Sequence, residues 1–286
     1  MTDTRLRDKL ATQKFFVVPG VHDMIAAVIA DRVGFEIVYG TGYWLTASAY
    51  GLPDAGIVGY SEMVDRMATI KRTSKAALIA DADTGYGGLL NVHHTVKGYE
   101  AAGVSAIQLE DQEFPKKCGH TPYKRVVPIE QMVAKIKVAV EAREDMLVIA
   151  RTDARQSEGL DGTMRRLEAY AKAGADVLFP EALTSVAEMR TACAAFDVPV
   201  MANMANGGLT PVLKGDVLAD IGYAFAIYPS LTSLIAASAI ETALIKLRDH
   251  GDGEPADMAM FDFKTFCGLI GFEDVWAFDR KWNEVG

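Results

Sequence analysis

Residues 116–120 read Lys-Lys-Cys-Gly-His, a thiol set between two lysines and a histidine in what the flanking pattern makes a loop. Nearby cations lower a thiol's pKa and favour the reactive thiolate, whereas a core cysteine is usually flanked by apolar residues and stays inert. A surface loop with a chance cysteine is the plain alternative, but the surroundings argue against it. A short way upstream, Glu110-Asp111 ends an apolar run, and further back stands Asp81-Ala82-Asp83-Thr84-Gly85-Tyr86-Gly87-Gly88.

More polar residues recur in the same setting, each closing a short apolar run: Tyr39-Gly40-Thr41-Gly42, Asp81 and Asp83, Glu110, Arg151-Thr152-Asp153, Glu181 and Asn203. Any one of these is explicable as a satisfied polar residue; the succession describes a ring of carboxylates with one arginine, one amide and the thiol. Carboxylates without histidine partners suit a hard, oxygen-seeking ion, so magnesium or manganese is the physical choice over zinc. Magnesium keeps several waters, so only one or two acids need touch it directly. His120 adjoins the thiol and can tune it, while His93-His94 opens a helical stretch and reads as surface. Magnesium together with Arg151 would orient an anionic substrate, and the thiol could deliver or remove a proton at carbon.

Elements that could position such a ring are visible in the apolar pattern. Strands are expected at 15–18, 36–39, 77–80, 106–109, 147–150, 177–179, 198–201 and 223–227, with helices at 62–73, 92–102, 129–142 and 162–173 between them. Near-continuous apolar strands of this kind belong to buried parallel sheets. Gly34, Gly103 and Gly174 stand where helices end before the next strand, as left-handed caps do. Eight βα units predict an α/β fold of the closed (β/α)8 TIM type, in which chemistry sits at the C-terminal ends of the strands. The alternative, a doubly wound open sheet, lacks the Gly-x-Gly-x-x-Gly that should follow its first strand.

Bulk properties bound the class. With 286 residues, half of them hydrophobic, the chain can bury one large core, and residues 1–286 read as a single barrel domain. No long uncharged apolar run is present and the N-terminus lacks an apolar signal core, so neither a membrane span nor export is expected. Three widely spaced cysteines fit a reducing, cytoplasmic compartment, with Cys193 and Cys267 structural. A net charge of −9 offers no footprint for nucleic acid.

On these motifs the chain resembles the isocitrate lyase and phosphoenolpyruvate mutase superfamily, from about Phe16 to Ile270. Lys-Lys-Cys-Gly-His is close to the signature of the lyase branch, and Asp81-x-Asp83-Thr84-Gly85-Tyr86-Gly87 is similar to the metal loop. The resemblance implies Asp81 as a direct magnesium ligand, with Asp83, Glu110 and Asp54 acting through bound water. It implies that Thr41, Gly42 and Tyr43 grip the keto-acid end of a small dicarboxylate, although the usual serine is threonine here. Gly119, His120, Arg151, Glu181 and Asn203 fall on positions that bind substrate or organise its carboxylates, and Cys118 lies on a gating loop.

The same resemblance implies a carbon–carbon lyase. A 2-hydroxy dicarboxylate loses its hydroxyl proton to a base, for which Tyr39 is the candidate; the C2–C3 bond breaks, and Cys118 protonates the departing carbon. The short length resembles methylisocitrate and dimethylmalate lyases. Thr121-Pro122-Tyr123 and Ala205-Asn206-Gly207-Gly208 replace residues that would meet a third carboxylate, which puts 2,3-dimethylmalate level with 2-methylisocitrate, and Tyr43-Trp44 adds apolar bulk. Oxaloacetate hydrolysis or decarboxylation, phosphonopyruvate or carboxyphosphonoenolpyruvate mutase chemistry, and a barrel that binds without turnover are the alternatives. The region from about 230 to 286, with apolar stretches at 230–248 and 261–270, is implied to be exchanged between subunits, giving a homotetramer built as a dimer of dimers.

Overall fold

A computed structural model describes residues 3–282. The chain divides into two compact units, Met1–Thr232 and Ser233–Gly286. The first runs α1 (Arg5–Ala11), β1 (Phe16–Val21), α2 (Met24–Val33), β2 (Ile37–Gly40), α3 (Gly42–Tyr50), α4 (Tyr60–Thr73), β3 (Ala77–Asp81), α5 (Leu89–Ala101), β4 (Ala106–Glu110) and α6 (Ile129–Ala142). It continues through β5 (Leu147–Thr152), α7 (Arg155–Lys172), β6 (Val177–Pro180), α8 (Val186–Ala194), β7 (Met201–Asn203), α9 (Gly215–Ile221) and β8 (Phe225–Tyr228).

All strand pairings are parallel, in the order β6-β5-β4-β3-β2-β1-β8-β7. A parallel bridge between Leu178 and Val200, with Leu178 N donating to Pro199 O at 2.9 Å, joins β6 to the segment leading into β7. The ring therefore closes as the expected (β/α)8 barrel, and the pairing of β1 with β8 excludes an open doubly wound sheet.

Strands β2 to β6 are buried on both faces, which is why each reads as a continuous apolar run, while β1 leaves Val17 exposed. Val18, Ile37, Tyr39, Ala77, Ile79, Ala106, Leu147, Ile149, Phe179 and Phe225 fill the barrel interior, joined by Leu6 of α1. The alternate residues Val38, Leu78, Ala80, Ile107, Leu109, Val148 and Leu178 face outward to Met67, Ile70, Val96, Met132, Ile136 and Leu167. Side chains alternate with period two. Following the inward set to the strand ends reaches Asp81 after Ile79, Glu110 after Gln108, Arg151 after Ile149, Glu181 after Phe179 and Asn203 after Met201.

Several boundaries differ from expectation for local reasons. Strand β7 starts at Met201 and not at Val198, since Pro199 has no N–H to give a ladder. Helix α7 starts at Arg155 and carries a break at Gly159, with φ 70° and ψ −173°, so the expected start at Gly162 marks only its second part. Gly34, Gly103 and Gly174 take positive φ at the three helix ends.

The second unit is described by itself. Helix α10 (Leu231–His250) starts at the end of the first unit and continues into it, followed by α11 (Phe263–Leu269) and α12 (Phe272–Trp282). Asp262 caps α11 through a 2.7 Å bond from Thr265 N. Ile235, Ile240, Leu244, Phe263, Val275, Trp276 and Trp282 are exposed, and Cys267 and Ser233 are its buried described residues. The division after Thr232 falls at the start of the C-terminal region expected from about residue 230.

Candidate active site

The strand ends and their loops enclose a cavity of about 310 Å³. It is lined by Tyr39, Thr41, Tyr43, Asp54, Asp81, Cys118, Gly119, His120, Arg151, Glu181 and Asn203 from the expected set, with Trp44, Lys116, Ala205, Ile227 and Pro229. Gly42, Asp83 and Glu110 stand behind this lining. Gly42, in the first turn of α3, lies against Asp81, where a Cβ would come within 2.6 Å of Oδ2.

The acids form one linked group. Asp81 Oδ1 accepts from Gln108 Nε2 and from the backbone N–H of Asp83, both at 3.1 Å. Asp83 adopts φ 49°, a left-handed turn that aspartate tolerates and that aims its N–H back at Asp81. The Lys116 ammonium, almost fully buried, bridges Asp54 and Asp83, lying 2.7 Å from Asp83 Oδ1. Burial alone would lower the Lys116 pKa, but Asp83, Glu110 and Asp54 outweigh it and hold the group well above its ordinary value. Burial pushes Asp83 up to about 7 and Glu110 well above the usual carboxylate range.

Glu110 Oε1 is buried and accepts no hydrogen bond among the described residues. An orphaned carboxylate oxygen, an all-oxygen donor set and acids pushed upward by burial together fit a hard divalent cation. Among the described residues no three acidic, histidine or cysteine side chains converge closely enough to hold an ion by themselves. The fit is therefore to an ion that keeps most of its waters.

Arg151 organises the opposite side. Its guanidinium donates to Asp153 at 2.9 and 3.0 Å, lies 3.4 Å from Glu110 Oε2 and 3.3 Å from Glu181 Oε2, and stacks 5.1 Å from the Phe179 ring centroid. Glu181 is fixed in turn by Asn203 Nδ2 at 2.9 Å and by the N–H of Ala182. His120 Nδ1 accepts from Leu209 N at 3.2 Å, and its Nε2 lies 3.4 Å from Glu181 Oε1 and from Asn203 Nδ2.

The loop after β4 is tied down along its length. The Gln112 amide makes two bonds with the backbone of Lys117, and Thr121 Oγ1 donates to Cys118 O at 2.7 Å. Gly119 sits so tightly that a Cβ would meet Arg151 Nη2 at 2.1 Å. Burial pushes the Cys118 thiol up, more than the His120 N–H offsets. Lys116, the lysine expected to favour the thiolate, is turned to Asp54 and Asp83, and burial favours the neutral thiol.

Burial, reinforced by Asp81, raises the Tyr39 pKa well above the ordinary value, and its hydroxyl donates to Gln108 Oε1 at 2.7 Å. A phenol held this way is a donor that orients Gln108 and, through it, Asp81. His93 and His94 are exposed on α5, as expected, with His94 packed on Tyr60.

Sequence reasoning passed over Gln108 and Lys116 as site residues and gave Asp153 no role beside Arg151. Gln108 was signalled as the one polar residue inside an otherwise apolar strand run, and Asp153 by its place two residues after Arg151, the spacing that lets its carboxylate return to the guanidinium. Asp111, adjacent to Glu110, points outward by the period of two and accepts from Thr152, Tyr170 and Arg166 behind the barrel wall. Nothing local marks Lys116 as an acid-bridging group.

A family profile described as phosphoenolpyruvate phosphomutase matches residues 6–248. The chain belongs to the isocitrate lyase and phosphoenolpyruvate mutase superfamily. It is 41% identical over 276 residues to the 2,3-dimethylmalate lyase of Eubacterium barkeri, covering 96% of each chain. It is 40% identical over 276 residues to the 2-methylisocitrate lyase of Bacillus subtilis, covering 96% of this chain and 91% of that one. A solved oxaloacetate acetylhydrolase bound to 3,3-difluorooxalacetate superposes with a TM-score of 0.92 at 35% identity, over 98% of this chain and 96% of the other. Membership at this similarity, with the lyase relatives matched along nearly their whole length, makes the superfamily protein described here a carbon–carbon lyase.

Proposed function

We propose that this lyase cleaves an alkyl-substituted 2-hydroxy dicarboxylate of the 2,3-dimethylmalate type into an α-keto acid and a carboxylate, with magnesium or manganese as cofactor. The observation that carries the substrate class is the cavity lining. Its lysine and arginine are Lys116 and Arg151, each already paired with two or more carboxylates, while Tyr43, Trp44, Ala205, Ile227 and Pro229 give it an apolar side. A third substrate carboxylate would find no unengaged cation there, and burying an unpaired charge is costly. Methyl groups would find apolar contacts. 2,3-Dimethylmalate is therefore favoured over the tricarboxylate 2-methylisocitrate.

Acidic groups crowd this site, so a dianionic substrate needs further positive charge beside Asp81. Bound through Asp81, with Asp54, Asp83 and Glu110 on its waters, magnesium would act as a Lewis acid that stabilises the developing alkoxide. Thr41, Gly42 and Tyr43, at the start of α3, would hold the keto-acid end. Arg151, Glu181, Asn203, Gly119 and His120 would orient the other end. The C2 hydroxyl gives its proton to a carboxylate of the acid group as the C2–C3 bond breaks; charge grows on the departing carbon, and Cys118, which burial favours as the neutral thiol, delivers a proton there. From 2,3-dimethylmalate the products are pyruvate and propionate.

The likeness to oxaloacetate acetylhydrolase supports a second reading, hydrolytic cleavage of oxaloacetate at the same site. We also propose a homo-oligomer, a dimer of dimers in which the exposed apolar helices after Thr232 pack on a neighbouring chain, and a cytoplasmic location in keeping with three free cysteines. The deciding experiment supplies magnesium and a panel of substituted malates, 2-methylisocitrate and oxaloacetate, and follows keto acid with a coupled dehydrogenase and oxalate separately. Keto acid from 2,3-dimethylmalate with the highest kcat/KM supports the proposal; oxalate alone moves the assignment to hydrolysis.

A further inference from the structure

Lys124 stands between exposed Tyr123 and Arg125, yet its own side chain is 2% exposed. A loop lysine ordinarily keeps its ammonium in water. Here the ammonium donates to the carbonyl of Gly119, the residue after Cys118, and lies 3.3 Å from Asp153 Oδ1. Asp153 is a fixed point. Two bonds from Arg151 hold its carboxylate, and its backbone N–H donates to Asp111 Oδ1 at 2.9 Å, with Asp111 gripped from behind by Thr152, Tyr170 and Arg166. Although burial opposes it, Arg151 and Lys124 together keep the Asp153 carboxyl below its usual range.

We propose that Lys124 is a positioning residue that holds the Cys118 loop over the cavity by tying it to Asp153. One end of this contact belongs to the barrel through β5; the other belongs to the loop. Lifting the loop unpairs a buried ammonium from a buried carboxylate and strips the Gly119 carbonyl of its donor, both unfavourable. Lys124 therefore sets how much of the time the Cys118 sulfur is seated, without touching the reacting atoms. The inference deepens the reading of Cys118 as the carbon acid, but the tie itself does not depend on that chemistry.

The test measures alkylation of Cys118 by iodoacetamide in the full-length protein, read by mass spectrometry of the Cys118 peptide, beside lyase kinetics. Lys124→Met is expected to alkylate at least about tenfold faster while still folded and unfolding cooperatively at a lowered thermal midpoint, with kcat/KM reduced about as much, and Lys124→Arg to recover most of both. If Lys124→Met is recovered unfolded, Lys124→Gln is read in its place. An alkylation rate within twofold of wild type in the folded variant overturns the proposal, even if activity falls. Faster alkylation in a protein whose wild type cleaves no dicarboxylate leaves the tie standing and removes the lyase reading instead.

Discussion

Gly119 and Arg151 touch so closely that a methyl group on the one would sit 2.1 Å from Nη2 of the other. The same methyl would meet Glu181 Cγ at 2.8 Å and Asp153 Oδ1 at 2.9 Å, so it has no direction in which to relax. Gly119→Ala should displace the loop bearing Cys118. A displacement near 1 Å costs roughly 10²-fold in rate, and kcat/KM should fall by about that factor. The thermal midpoint should fall as well, because Gly119 is buried and Cys118 and His120 on either side of it are half-buried. Wild-type kinetics in this variant would show that the loop does not need this seat.

Cys118→Ser replaces the acid by a hydroxyl that holds its proton far more tightly. General acid catalysis contributes about 10²–10⁴-fold, and kcat should fall within that range while the KM stays near wild type. More than about a tenth of the wild-type kcat would count against proton transfer by this thiol.

The raised pKa of Cys118 fixes a sign for pH. Because burial favours the neutral thiol, the proton is retained until the pH passes above the ordinary thiol value of 9.0. The alkylation rate of Cys118 in the free enzyme should therefore climb about tenfold per pH unit with no plateau by pH 9. A plateau below pH 8 would restore the thiolate.

Chelation by EDTA should abolish activity, with magnesium or manganese restoring it and zinc restoring it poorly, since the donors are oxygens. Asp81→Ala should resist rescue at ordinary metal concentrations. Its metal affinity, followed by calorimetry, should drop by at least about tenfold, so that the loss can be read without turnover. Full activity in EDTA would end the argument for a cation at these acids.

Tyr39→Phe separates a donor from a base. Loss of the phenol leaves Gln108 Oε1 without its 2.7 Å partner in a fully buried place. Stability should fall by about 1–3 kcal/mol, and kcat by less than about tenfold. A loss of 10³-fold at unchanged stability would return the base role to Tyr39.

How much of this was legible before the fold was known follows from one period. Alternation of side chains along a strand is a local property of the backbone. It placed Tyr39, Asp81, Glu110, Arg151, Glu181 and Asn203 at the last positions of their apolar runs, and the succession of runs specified a barrel that would gather them at one end. Among the bounds that shifted, β7 lost its start to Pro199, which has no N–H for a ladder, and α7 is broken at Gly159.

Partners and charge states were another matter. The ammonium of Lys116 serves Asp54, 62 positions away in sequence, and not the adjacent thiol, and the Arg151 guanidinium is shared among Asp153, Glu110 and Glu181. Cys118 looks activated in sequence, whereas burial in the fold pushes its thiol and the Tyr39 phenol up. The chain alone determined which residues face inward, because that depends on neighbours along the backbone. Closure of the barrel decided which of them are ionised and by whom they are held, because desolvation and Coulomb attraction depend on distance through space between strand ends that sequence order leaves far apart.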